Sequence, residues 1–341
     1  HQWSRSVEKR FKITACKMIK HIIYTLITAG VMLSCGRPGQ NTAETANAAE
    51  AQPTFCTDSA MSYLKAQTDM GPRVPGTDAH ARCAAYLQAT LERFGADTVT
   101  VQDTTVTAWN GDRLPLHNIM ARFGSRDGVA PVLLVAHWDS RPWADSETDK
   151  TLAAQPIDGA NDGASGVAIL LEIARQASVN GTKVPIEILL VDGEDYGAHG
   201  DEGDETSWCL GTQAWLASNP YADNQRPRFA ILLDMVGGRG ARFNREYISD
   251  AYARAIVDMV WHEAAAMGLS ERFVNEPGGA VVDDHLFLNR AGIPAIDIIE
   301  NQNSETGSFN PTWHTHNDTY ENIDPSTIGD TGRLVSRLII K

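Results

Sequence analysis

Cysteine is scarce here, with five residues in 341, at positions 16, 35, 56, 83 and 209. That scarcity excludes a small domain stapled by disulfides; stability must come from a core, which a chain this long with 43% hydrophobic residues can build. Only Cys56, Cys83 and Cys209 fall in the part expected to fold, an odd number that cannot all pair internally. A Cys56–Cys83 bridge is left open. Positive charge is equally short: 29 Lys and Arg stand against 43 Asp and Glu, for a net charge of −14. Moreover, Arg5, Lys9, Arg10, Lys12, Lys17 and Lys20 lie in the first 35 residues, where Glu8 is the only acid, so the remainder is still more acidic. Such a surface repels phosphate backbones, and no nucleic-acid partner is expected. No Pro/Gly/Ser-rich linker or shift of composition follows residue 55 or so, which argues for one large domain over 56–341.

A long apolar run is missing as well. Residues Ile22 to Ser34 carry no charge, behind Lys20 and His21, but the stretch falls short of the ~20 residues a spanning helix needs. It has the plan of a signal peptide, and Ser34-Cys35 at its end resembles a bacterial lipoprotein site at which Cys35 would be lipidated. Residues 1–35 are therefore read as presequence and signal peptide, and 36–55 as a flexible polar tether. The implied location is the bacterial cell envelope, facing the periplasm, with membrane contact only through the lipid.

What is present points to an α/β fold. Residues 57–70 and 77–94 place apolar side chains at helical spacing, and Gly95 stops the second helix. Residues 97–109 and 116–123 then predict an antiparallel pair. Apolar runs at 132–136, 186–191, 229–233 and 293–299 follow, separated by helical patterns at 163–177, 206–217 and 249–267, with a last helix at 325–340. That alternation predicts a three-layer α/β/α domain around a mixed, mostly parallel sheet.

Acids follow three of these apolar strands: Asp139 after His137, then Asp192, Glu194 and Asp195, then Asp234. Ligand sites in open α/β sheets form outside the carboxyl ends of strands, and clustered carboxylates repel unless protons or a cation compensate. Asp162, within Gly159-Ala160-Asn161-Asp162-Gly163, suits either a helix cap or a metal ligand. Glu194 and Asp195 are either a binding and proton-handling pair turned by Gly193 and Gly197, or the start of a solvated acidic loop. His314 can complete a set with Asp162 and Asp195: two carboxylates, one imidazole and an open position suit a catalytic zinc.

The motifs His137-Trp138-Asp139-Ser140, Gly159-Ala160-Asn161-Asp162, Asp192-Gly193-Glu194-Asp195, Leu233-Asp234-Met235, Asp283-Asp284-His285 and Trp313-His314-Thr315 together resemble the zinc aminopeptidase-like superfamily. That superfamily holds leucyl-type aminopeptidases and animal-type glutaminyl cyclases. Within it the resemblance to the cyclases rests on Trp313, Phe309 and Asp283. It implies conversion of N-terminal glutamine in peptides or proteins to pyroglutamate, with one zinc per chain on Asp162, Asp195 and His314. It further implies Glu194 as the proton carrier, Asp234 paired with Asp283 as a supporting acid network, and Trp313, Phe309 and Trp208 as pocket walls. The competing expectation is a dinuclear aminopeptidase, with His137 and Asp234 at a second metal; a third is an inactive peptide-binding lipoprotein. Two residues depart from the cyclase pattern: Asp195 stands where the animal enzymes have Glu, and Glu300 is charged where its counterparts are not.

Overall fold

The computed structural model describes residues 55–125, 127–199, 204–222 and 225–341; the expected signal peptide, Cys35 and the tether lie outside them, except Phe55, which is buried in the core rather than part of a tether. Helix α1 (Thr57–Thr68) and helix α2 (Asp78–Arg93) come first, the second capped by Thr77, whose hydroxyl accepts from the His80 N–H. Strands β1 (Thr98–Thr107) and β2 (Arg113–Phe123) form the antiparallel pair.

The buried strands fall where the apolar runs put them: β3 (Val132–His137), β4 (Ile186–Val191), β5 (Phe229–Leu233) and β8 (Ala295–Ile298). The six-stranded order is β1-β2-β4-β3-β5-β8, parallel from β4 through β8 and antiparallel where β2 meets β4. Successive side chains on a strand face opposite ways, and β3 shows the result. Val132, Leu134 and Ala136 enter one apolar cluster with α1, α2, helix α3 (Ala164–Asn180), helix α5 (Tyr247–Ala266) and helix α7 (Pro325–Ile339). Leu133 and Val135 enter the other, with Trp215 of helix α4 (Leu210–Ala217) and Leu288 of helix α6 (Asp284–Arg290). Each fully buried Leu or Ile contributes ~1.5–3 kcal/mol, so a sheet covered on both faces supplies the core that disulfides do not.

The elements differ from expectation in several places, helix α6 and a short helix at Lys150–Ala153 among them, neither of which was expected. The helix over 206–217 is broken into a 3-10 turn at Glu205–Ser207 and α4, because Cys209 adopts a left-handed φ of 56° between them. The last strand is trimmed to 295–298. A small parallel pair, β6 (Phe243–Arg245) with β7 (Phe273–Pro277), has no legible pattern because strands this short carry too few alternations.

Cys56, Cys83 and Cys209 are all free thiols. Burial pushes the Cys83 thiol up to about 12 and, with the charges of Asp284 and Glu194, raises Cys209 well above its ordinary value. Thiolate is the reactive form. A thiol reagent applied to the native protein is therefore expected to modify neither Cys83 nor Cys209, and to reach both only in denaturant. Peptide mapping by mass spectrometry checks this; rapid native labelling of Cys83 contradicts the packing.

Candidate metal centre and active site

Because β3, β4 and β5 are parallel, their carboxyl ends deliver side chains to one edge. After β4 the chain turns at Gly193, with φ 62°, where an added Cβ would lie 2.7 Å from Leu116. The turn is fixed by Asp139, whose carboxylate accepts from the backbone N–H of Glu194 at 3.1 Å and of Asp195 at 3.2 Å. Neighbouring carboxylates thus both reach the site, although a straight strand would send them to opposite faces.

Asp162 does not cap α3. The cap position is Gly163, with no side-chain bond. Instead the loop before α3 is held by Asp318, which accepts from the N–H of Asn161 at 2.7 Å and of Asp162 at 3.1 Å. His314 has a left-handed φ of 54°, and its carbonyl accepts from Ser146 N–H at 3.1 Å.

Asp162, Asp195 and His314 are buried, with one ligand atom of each within 4.8 Å of the others. His314 Nε2 lies 3.6 Å from Asp162 Oδ2 and 3.3 Å from Asp195 Oδ1. Tetrahedral zinc, with bonds of ~2.0–2.2 Å, holds its ligand atoms roughly 3.3–3.6 Å apart, which matches. Asp195 Oδ2 is also buried without a hydrogen-bond partner, an arrangement that a cation relieves. The group therefore fits zinc.

The second set is tighter. His137 Nε2 lies 3.0 Å from Asp162 Oδ1 and 3.1 Å from Asp234 Oδ1, both direct hydrogen-bond lengths. Burial opposes protonation of His137, but Asp234, Asp139 and Asp162 outweigh it and raise its proton affinity well above normal. These three residues also bring one ligand atom each within 4.8 Å of the others, so a cation, whether a proton on His137 or a metal ion, offsets the charge of Asp162 and Asp234.

Glu194 is buried beside the first set. Burial, then the Asp283 carboxylate, pushes its carboxyl well above the usual range. Its Oε1 accepts from the Cys209 thiol at 3.3 Å, which ties it to the kink before α4. Asp283 is raised likewise, by burial and then by Asp234 and Asp284. The expected pairing of Asp234 with Asp283 takes a different form: Asp234 is hydrogen-bonded to His137 and acts on Asp283 through its charge. Asp283 accepts from the Asp284 N–H as the cap of α6 and lies against Asp297 of β8, whose carboxyl burial and Asp283 raise together. Packing on β8 decides this, since the residues are far apart in the chain.

Trp313 stacks on the His314 imidazole with centroids 3.7 Å apart, and Phe309 lies 4.8 Å from Trp313. Both rest on Met235, Val281 and Ile299. Trp208 faces the same imidazole at 6.4 Å, above Gly197, where any Cβ would meet its ring at 2.0 Å. Glu300, unexplained by sequence, is buried and accepts from Asn303 at 2.9 Å and Asn310 at 3.0 Å, bracing the loop that carries Phe309 and Trp313. Sequence reasoning missed Asp297, Cys209, Asp318 and the orienting role of Asp139. Asp318 closes the Trp313 to Asp318 run and was the most findable; the others had no motif to mark them.

A three-layer α/β/α domain whose parallel strands gather a buried carboxylate–imidazole set around a raised glutamate defines an enzyme of the aminopeptidase-like class. The chain belongs to peptidase family M28, whose model matches residues 118–339. Among solved structures it is similar to the glutaminyl cyclase of Tannerella forsythia, at 47% identity and a TM-score of 0.79 over 83% of this chain and 97% of that one. The glutaminyl cyclase of Bacteroides thetaiotaomicron, solved bound to N-acetylhistamine, is 44% identical with a TM-score of 0.80 over 84% and 98%. The glutaminyl-peptide cyclotransferase of Bos taurus is 22% identical, over 81% of each chain.

Proposed function

We propose that the chain is a zinc-dependent glutaminyl-peptide cyclotransferase, closing N-terminal glutamine of peptides or proteins to pyroglutamate with release of ammonia. The observation that carries it is the position of Glu194: buried, raised in proton affinity and adjacent to the Asp162–Asp195–His314 set, in a chain 44–47% identical to two glutaminyl cyclases. Zinc held by those three residues would act as a Lewis acid on the side-chain carbonyl of the substrate glutamine.

The nucleophile belongs to the substrate. Its α-amine, with an ordinary pKa of ~7.7–8.0, attacks as the neutral amine once its ammonium proton has gone to solvent. Glu194 takes a proton from the attacking nitrogen as it bonds the side-chain amide carbon, and passes it to the leaving nitrogen as the carbon–nitrogen bond breaks and ammonia departs. A carboxyl raised toward the amine in proton affinity does both tasks readily. Asp283 and Asp234 orient the amine and the leaving group. Trp313, Phe309 and Trp208 shield the ring closure from water, which the reaction does not need. One zinc per chain is the reading we adopt, supported by the direct hydrogen-bond distances of 3.0 and 3.1 Å from His137 to Asp162 and Asp234. Cys35 is proposed as the lipid attachment site on the periplasmic side of the envelope, on its signal pattern alone. No helix of the described residues is long and apolar enough to cross a membrane.

The test uses the purified protein, a glutamine-initiated peptide and a leucine-initiated one. Ammonia release from the first without cleavage of the second, with one zinc per chain by elemental analysis, is expected. Release of leucine with two tightly bound zinc ions would instead establish the dinuclear aminopeptidase.

A further inference from the structure

We propose that Arg141 is a positioning residue that sets two of the three zinc ligands at once, Asp195 directly and His314 through Asp145. The inference rests on the reading that Asp162, Asp195 and His314 hold the zinc. Arg141 follows β3 by four residues and is one of the largest fully buried side chains in the described structure.

All five of its N–H groups are used. Nη1 donates to the Asp195 carbonyl at 3.1 Å and to Asp195 Oδ1 at 3.2 Å. Nη2 donates to Asp145 Oδ2 at 2.6 Å and to the Gly197 carbonyl at 3.2 Å, and Nε donates to Asp145 Oδ1 at 2.9 Å. The guanidinium lies 4.9 Å from the centre of the Trp208 ring and 5.4 Å from that of Trp143. A planar fork with five fixed donors is what this site requires, and an ammonium cannot reproduce it.

The consequence for the ligands is geometric. Asp145 Oδ1 lies 2.9 Å from His314 Nδ1, at salt-bridge distance though short of hydrogen-bond alignment, so the carboxylate that Arg141 grips on both oxygens also faces the ring nitrogen turned away from the metal position. A proton held on Nδ1 leaves Nε2 with its lone pair toward Asp162 and Asp195. On the other side, Asp195 is pinned at its carbonyl and at Oδ1, which fixes its rotamer. Three segments distant in sequence, the β3 exit, the turn after β4 and the His314 loop, are thereby locked to one cation.

The test measures zinc affinity of the metal-free protein by competition with a chromogenic chelator, for wild type, Arg141→Lys, Asp145→Asn and His314→Ala. Thermal unfolding of each metal-free protein is recorded alongside. Loss of an outer partner of a metal ligand typically costs 10–100-fold in metal affinity, so Arg141→Lys and Asp145→Asn should each weaken zinc binding by at least about tenfold. A merely structural role would lower the unfolding temperature of the metal-free protein without changing the affinity of the folded fraction. Should Arg141→Lys fail to fold, Asp145→Asn, at a partly exposed side chain, decides alone. Losses below about tenfold in the folded variants overturn the proposal. Normal zinc binding by His314→Ala overturns the metal reading itself, which separates the two failures.

Discussion

Replacing Glu194 by Gln is expected to lower turnover of a glutamine-initiated peptide by ~10²–10⁴-fold, the span of general acid–base catalysis, while zinc content stays at the wild-type level. The substitution is nearly isosteric, and what holds the side chain survives it. The Glu194 N–H still donates to Asp139, and an amide oxygen can still accept from the Cys209 thiol, as Oε1 does now at 3.3 Å. What is lost is the capacity to accept and return a proton. The variant also removes a carboxylate that burial and Asp283 hold at high proton affinity, so the surrounding acids are relieved and the fold should not suffer. Ammonia release by a coupled assay, with metal analysis on the same sample, reads both parts. Turnover near wild type would remove Glu194 from the mechanism; loss of zinc together with turnover would assign it to the metal instead.

The second large effect concerns the fold beneath the site. Gly166 lies in the first turn of α3, and a Cβ there would sit 2.1 Å from the Leu233 carbonyl oxygen and 3.1 Å from the Ala136 side chain. The obstacle is backbone at the end of β5, which cannot rotate aside as a side-chain tip could. Gly166→Ala must therefore lift α3 off β3 and β5, against a helix that is buried along nearly its whole length. Overpacking of this kind costs ~1–3 kcal/mol, occasionally more, and we expect the upper end of that range or beyond. At ~2–4 °C per kcal/mol for a domain of this size class, the unfolding temperature should fall by about 6–12 °C. Because Asp162 precedes α3, zinc affinity should fall as well. An unfolding temperature equal to wild type would show that the helix shifts freely and that this close approach does not position the site.

The two expectations bear differently on how the sequence encodes the molecule. β4 and β5 are legible to the residue because strands buried on both faces read as unbroken apolar runs, bounded where polar turns begin. Asp162, Glu194, Asp195, Asp234 and His314 are legible as candidates because they follow strands or stand in compact motifs. Their alternatives, a helix cap for Asp162 and a solvated loop for Glu194 and Asp195, are equally consistent with the chain. Burial and the hydrogen bonds from Asp139 and Asp318 decide between them.

By itself, then, the sequence determined the layers, the strand edge at which chemistry gathers, and the residue types available there. Periodicity and strand termini are local properties, written within a few residues. Only the tertiary structure decided which carboxylates meet. Asp283 faces Asp297 rather than bonding Asp234, Cys209 touches Glu194 through a kink in an expected helix, and Arg141 ties Asp195 to Asp145. These contacts join segments with no fixed spacing, and a buried charge finds its partner through packing in three dimensions, which no local pattern records.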